Sequence, residues 1–531
     1  MNSGWEKFSK RLEEKYPVRE IFTEEETHSS LNLVIKNGLS IQGMATLTTG
    51  VFLVGFALQL GASNFQIGLL ASIPVLMQAF QIPAIYLVES LRVRRALCVY
   101  SSFCSRGMLL LVALIPFFAS GETGLKLLFL AIFIQSTIAA LLDCSWNSWM
   151  RDLVPHDRMG AFFGKRLFFT TFLGMVLGLC SGVYIDGWNR AFPEDPLHGY
   201  SILFFMGLIS GMLGVHYLSQ TPEPRMARHE EKIKISAIVK IPFQDPNFKK
   251  LLFFSLFWSF AVNLAAPFFT VYLLKWLELK MALVVALGVL SQLMNLAFFR
   301  IWGKFADRFG NKAVLGLAGW LFMVTVLAWT FTTLPEKHAL TVPLLVLIHM
   351  AMGMSTAGVA LASGNIGLKL APRGKATSYL ASIAFVNSLA AGLAPFLGGL
   401  FADYFARREF SWTLNWTSPV SDLHFEVLSF RQWDFLFFFS FAIGLFALRR
   451  LSYVQDVGEV KEKIDVGDLI SEVRIEMRNL STMGGLRYMI QAPVLLLSVI
   501  FSRNGHGELA GVEPRPGEEG PAAVQKDPDA P

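Results

Sequence analysis

The stretch YLVESLRVRRAL, residues 86–97, returns as KFADRFGNKAVL at residues 304–315, and this pair decides how the rest of the chain is read. Each copy carries an acidic residue in its fourth place, Glu89 and Asp307, followed by basic residues and then an apolar run. Outward from it, at nearly the same shift, Gln42, Thr46 and Gln78 fall on Ser259, Asn263 and Asn295. G-V-Y-I-D ending at Asp186 falls on G-L-F-A-D ending at Asp403, and Asn147 with L-V-P ending at Pro155 on Asn365 with L-A-P ending at Pro372. The chain states one unit twice, in parallel, a plan in which membrane proteins place a site between the halves.

Hydrophobic residues fill 53% of 531 positions and charged residues 16%, too apolar for a soluble domain of this length. They come in blocks of the ~20 residues that cross a bilayer core. Spans are expected near 37–61, 65–88, 96–118, 126–148, 167–187, 199–219, 251–275, 282–301, 313–333, 341–364, 377–401 and 434–451. One set of connections holds Arg92, Arg94, Arg95, Arg151, Arg158, Lys165, Arg166, Lys304, Arg308, Lys312, Lys369, Arg373 and Lys375. The alternate set holds little besides Lys126, Arg190 and Lys337, with Arg407, Arg408 and Arg431 in one longer loop. An even span count with this bias predicts that both termini are cytoplasmic. The net charge of +6 is then a topology signal, and no nucleic-acid partner is expected. The polar first 36 residues lack the pattern of a secretory signal peptide, so the first span is expected to serve as the insertion signal. Cys98, Cys104, Cys144 and Cys180 lie in or beside apolar spans without ligand spacing, which assigns them to packing and implies neither metal nor cofactor.

This organises the chain into a cytoplasmic segment (1–36), a first bundle (37–220), a proline-bearing cytoplasmic linker (221–250), a second bundle (251–454) and a cytoplasmic tail (455–531). In the tail, Val460, Ile464, Val473, Met477 and Leu480 recur near helical spacing and predict an amphipathic helix. The run from Tyr488 to Phe501, broken by Pro493, suits the membrane interface, and the composition after Asn504 suits disorder. The external connection 404–433 is aromatic and contains the sequon Asn415-Trp416-Thr417; it reads as a structured flap over the external mouth or as a passive loop.

WGKFADRFGNK, residues 302–312, closely resembles the G-x-L-A-D-R-x-G-R-K signature of the major facilitator superfamily, with Gly303, Asp307, Arg308, Gly310 and Lys312 in the signature positions. The first-half copy keeps Glu89, Arg94 and Arg95 but lacks both glycines. With the duplication and the span count, the resemblance covers roughly residues 37–451. It implies an all-α polytopic membrane protein of about twelve transmembrane helices in two pseudo-symmetric six-helix bundles. It also implies that Asp307 and Arg308 help to close the cytoplasmic side, since a carboxylate at a helix end can accept hydrogen bonds from a neighbouring helix N-terminus. Glu89 would do similar work in the first half; the plainer reading is that these charges only fix topology. GLAPFLGG, Gly392 to Gly399, resembles the glycine and proline patterns of the family's eleventh span. The fifth span has Gly174, Gly178 and Gly182 but not the Gly-Pro of the proton-antiporter signature, which weakens a drug-exporter reading.

In this superfamily the first, fourth, seventh and tenth spans line the central cavity. The polar stripes there are Gln42, Thr46 and Thr49; Ser136, Asp143 and Asn147; Ser255, Ser259 and Asn263; and His349, Thr356 and Ser363. Such residues line a water-filled path or bond neighbouring helices. Two charges are costly inside spans, Arg106 about 15 Å and Asp143 about 12 Å from the cytoplasmic side. Their matched depths predict a pair, either a coupling site that takes up a proton or a permanent stitch between helices. His349, near mid-membrane, suits proton traffic or packing.

The resulting expectation is a secondary active transporter of the bacterial inner (cell) membrane that moves a small-molecule substrate by alternating access, driven by protons or by the substrate's own gradient. No G-x-x-x-x-G-K-S/T loop is present to hydrolyse ATP, and no nucleophile with a base, metal constellation or carboxylate pair marks an enzyme. The rival reading is a non-transporting membrane sensor or scaffold on the same fold, separable by truncation after about Val454. The sequence specifies neither the solute nor an oligomeric state.

Overall fold

The apolar blocks become helices because a chain in lipid must satisfy its backbone hydrogen bonds internally. The structure, a computed structural model, describes residues 12–19, 22–155, 158–226, 242–333, 337–372, 376–417 and 422–456. In the first half, α1 (Glu24–Thr48) and α2 (Gly50–Gln59) form one interrupted span. After it come α3 (Asn64–Met77) and α4 (Gln81–Leu91), then α5 (Arg94–Phe118), α6 (Gly121–Leu153), α7 (Met159–Ala191) and α8 (Pro196–Gln220). The second half has α9 (Pro246–Val271), α10 (Met281–Phe309), α11 (Asn311–Ala328), α12 (Thr341–Leu370), α13 (Ala376–Phe405) and α14 (Gln432–Leu451). Among the described residues, 10 helices are long and apolar enough to cross a membrane, and the pair Asn64–Phe80 plus Pro83–Leu91, bent by 46°, makes an eleventh. The 20-residue α14 stands where the twelfth is expected.

Local chemistry sets the ends. Thr23 and Ser63 each form a capping box with Glu26 and Gln66, and the Asp245 side chain accepts from the Asn247 and Phe248 amides ahead of Pro246 in the first helical position. The first of these caps starts α1 well before residue 37, so part of the segment expected to precede the first span is helix continuous with it. Gly310 joins α10 to α11 at φ +87°, a left-handed conformation that favours glycine. At the equivalent place in the first half, where that glycine is missing, Arg92 itself takes φ +55°.

The packing repeats with the sequence. In the first half α1 packs on α7 and α8, α5 on α6 and α8, and α3 on α6; in the second, α9 packs on α13 and α14, α11 on α12 and α14, and α10 on α12. The halves meet through α3 on α13 and α7 on α10, again a symmetric set. The two strands β1 (Val18–Arg19) and β2 (Glu223–Pro224) pair in parallel. Asn247 and Gln455 exchange two hydrogen bonds of 2.9 Å. These ties put both ends of the described chain on one face, the terminal face; the opposite one is the distal face. The connection after α13 is an antiparallel hairpin of β3 (Glu409–Thr417) and β4 (Asp422–Arg431), so regular strands replace the passive-loop alternative. Phe410, Trp412, Leu414 and Trp416 alternate along β3 and are all exposed. The tail residues from Val460 to Asn504, and linker residues 227–241, lie outside the described residues.

Candidate functional site

At the distal face the repeated aspartates cross from one half to the other. Asp186, near the end of α7, accepts the backbone N–H groups of Met281 and Ala282 at the start of α10, both at 2.9 Å. Asp403, near the end of α13, accepts the Phe65 N–H at 2.9 Å and the Asn64 side-chain amide at 2.8 Å at the start of α3. Each carboxylate meets the positive end of a helix in the other half. Glycines let the backbones come this close: a Cβ on Gly182 would lie 2.9 Å from Ala282 Cα, one on Gly399 2.7 Å from Phe65 Cα, and one on Gly68 would collide with the Pro395 carbonyl. The sequence pairs these aspartates by repetition but leaves them without a role. The signal was the repeat itself, acidic at the same place in two apolar spans.

Near the terminal face, carboxylates cap helices within each half. Glu223, just after α8, accepts the Arg94 and Arg95 N–H groups at 2.8 and 2.9 Å and pairs with Arg94 Nε at 3.0 Å. Arg94 also bonds Asp152 and the Ser148 and Pro224 carbonyls. Burial raises the Glu223 carboxyl above the usual carboxylate range, while the bonds from Arg95 and Arg94 oppose that shift. In the second half Asp456, just after α14, accepts the Lys312 N–H at 3.0 Å. Among the signature residues Gly310 makes the turn, Gly303 is half-buried opposite Leu361 of α12, and Asp307, Arg308 and Glu89 are exposed.

The depth-matched charges do not pair. Arg106 is buried between α5 and α8, donating to the Gly211 carbonyl at 2.6 Å, with Gly211 and Gly214 leaving room for its side chain. Asp143 instead accepts from Gln78 Nε2 at 3.2 Å, and Gln78 bonds Gln81. These glutamines belong to the bend of the second span, where a short 3-10 turn (Gln78–Phe80) separates α3 from α4. Equal depth left the azimuth open, and helix rotation sends the two charges to different neighbours.

The polar stripes divide. Gln42 donates to Thr46 at 3.1 Å, and both sit against Gly174 of α7. Thr49 returns its hydroxyl to the Ala45 carbonyl at the break between α1 and α2. Ser259 bonds the Asn387 carbonyl of α13 at 3.1 Å, and Asn263 bonds the Ser259 carbonyl at 2.8 Å. Ser136 is buried in α6, whereas Asn147 and Thr356 are exposed. His349 is buried against Trp329, its Nδ1 2.8 Å from the Leu345 carbonyl, so the structure places it in the packing of α12 on α11 rather than on an open wall. Arg166, expected in a connection, lies two turns inside α7, half-buried. The every-fourth-residue stripe Gly182, Gly178, Gly174, carried back through Thr170, reaches it, and that extension was the available signal.

A duplicated bundle of spanning helices, joined across its halves by two-fold-related contacts, defines a polytopic transporter fold. The chain belongs to the major facilitator superfamily, whose model matches residues 38–395 and 281–505. Efflux pump dotC of Dothistroma septosporum is 32% identical over 139 residues, 26% of this chain; the match spans only 22% of that relative's length. A point mutant of the nucleoside transporter NupG superposes with TM-score 0.60 at 12% identity, over 81% of this chain and 100% of that one. A bacterial homologue of the iron transporter ferroportin, in an inward-facing state, does so with TM-score 0.55 at 15% identity, over 82% and 100%. These likenesses establish the fold: the protein is an integral membrane protein of a transporter family.

Proposed function

We propose that the chain is a secondary active transporter that carries a small solute by alternating access of its two halves, with the terminal face cytoplasmic in a cell membrane. The observation that supports this reading is the symmetric pair of carboxylate caps, Asp186 on α10 and Asp403 on α3, which join the halves at the distal face beside close glycine contacts and the edge-to-face pair Phe65–Phe396. Two-fold-related caps of this kind can break and re-form together, as a gate between two arrangements of the halves requires. At the opposite end Asp307, Arg308 and Glu89 are exposed, and the proposal gives them the reciprocal closure when the distal face opens. Gln42, Thr46, Asn147 and Thr356 are the residues through which the path would meet solute. Asp143, held by a neutral glutamine rather than by a cation, is the proposed proton site.

Reconstitution into liposomes tests this. A panel of labelled metabolites should include at least one whose uptake saturates and responds to an imposed pH gradient. Asp143→Asn should keep exchange of that solute while losing the response to the gradient. Purified, folded protein that moves no member of the panel and does not change between distal-open and distal-closed forms defeats the proposal.

A further inference from the structure

Two buried nitrogen donors near the terminal face have no acceptor. Arg166 Nε and Trp146 Nε1 are both sealed from solvent without a hydrogen-bond partner among the described residues. They belong to one cluster: the Arg166 guanidinium lies 5.1 Å from the centre of the Trp146 ring. A buried donor left unmade forfeits its hydration with nothing in return, so two side by side in a well-packed helical bundle point to an acceptor that belongs there. Gly38 of α1 closes the third side, since a Cβ on it would lie 2.6 Å from Arg166 Nε. The arginine is therefore packed among α1, α6 and α7, the first, fourth and fifth spans.

The chemistry of the missing acceptor follows from the donors. Arg166 has no carboxylate partner among the described residues, in contrast to Arg94, which holds Glu223 and Asp152. Its guanidinium keeps a planar fork suited to two parallel hydrogen bonds to an oxyanion. One cation held by an aromatic face and by no carboxylate among the described residues balances one negative charge, while Asp143, one helical turn from Trp146 on α6, disfavours a second. The indole, with Phe163 6.5 Å away, gives the site an apolar wall, which favours an organic group over a hydrated inorganic ion.

We propose that Arg166 and Trp146 form an anion subsite for a singly charged organic carboxylate, the carboxylate accepting from the guanidinium and from the indole N–H once the helices that cover these donors move apart. The proposal deepens the transport reading by naming a substrate class for the same path.

The test uses full-length protein in nanodiscs with four probes: benzoate, its neutral isostere benzamide, the dianion succinate, and inorganic phosphate. Benzoate should raise the melting temperature and change tryptophan fluorescence, benzamide should do neither, and succinate and phosphate should act more weakly than benzoate. Arg166→Gln should abolish the benzoate shift, and Arg166→Lys, which keeps charge without the fork, should weaken binding by about tenfold or more. Trp146→Phe should remove most of the fluorescence change while leaving a reduced thermal shift. If Arg166→Gln fails to fold, the Arg166→Lys and Trp146→Phe results decide. Equal responses to benzoate and benzamide, a benzoate shift indifferent to these substitutions, a preference for phosphate or succinate, or no response to any probe would each overturn the proposal. Flux is read separately: binding without flux leaves the subsite standing and removes transport, while flux of neutral solutes with no anion response does the reverse.

Discussion

Replacing Asp186 and Asp403 together by Asn tests the distal closure most directly, because both carboxylates act across the halves while neither supports its own bundle. Four hydrogen bonds of 2.8–2.9 Å are affected, all with an ionised acceptor. Bonds to charged groups contribute about 1.5–3 kcal/mol each. Asparagine retains one carbonyl acceptor, and Asp403 is exposed enough for solvent to weaken its share. Roughly 3 kcal/mol in total is then a reasonable loss, a shift on the order of a hundredfold toward forms open at the distal face. Spin labels at Glu122→Cys and Leu340→Cys, with Cys104 and Cys180 changed to Ser, would report the separation of the distal helix ends. The double variant should populate a longer distance that the parent lacks, and each single variant should give an intermediate fraction. An unchanged distance distribution in folded double variant would refute the reasoning, and the caps would then be ornaments on an interface held by packing alone.

The remaining predictions concern the other charged groups. Arg106→Gln and Asp143→Asn should have additive effects on folded yield in a double-mutant cycle, because the two side chains have separate partners; a coupling well above about 0.5 kcal/mol would mean they meet. Glu223→Gln should destabilise the first half by less than the roughly 3–5 kcal/mol of an uncompensated buried charge, because Asp152 still pairs with Arg94, and Glu223→Gln combined with Asp152→Asn should cost more than either change alone in a thermal melt. Asp307→Asn should insert normally yet slow interconversion of the halves; a variant exchanging solute at the parent rate would remove Asp307 from the gate.

The sequence by itself determined the unit and its doubling. Span-length apolar blocks, the alternation of basic connections and the recurrence of Glu89 at Asp307 and of Asp186 at Asp403 are one-dimensional facts, and each follows from the cost of placing charge and unpaired backbone in lipid. Along a helix the sequence also fixes depth, which is why Arg106 and Asp143 could be placed at matching levels. What it cannot fix is which neighbour each side chain turns toward, because that depends on how six helices rotate and pack against one another. Tertiary structure alone sent Arg106 to Gly211 and Asp143 to Gln78, buried His349 against Trp329, and brought Arg166 from an expected connection to the wall shared with Trp146 and Gly38. The same holds for the four carboxylate caps. Glu223 and Asp456 act within a half, Asp186 and Asp403 between halves, and only the packing of α7 on α10 and α13 on α3 separates the two kinds.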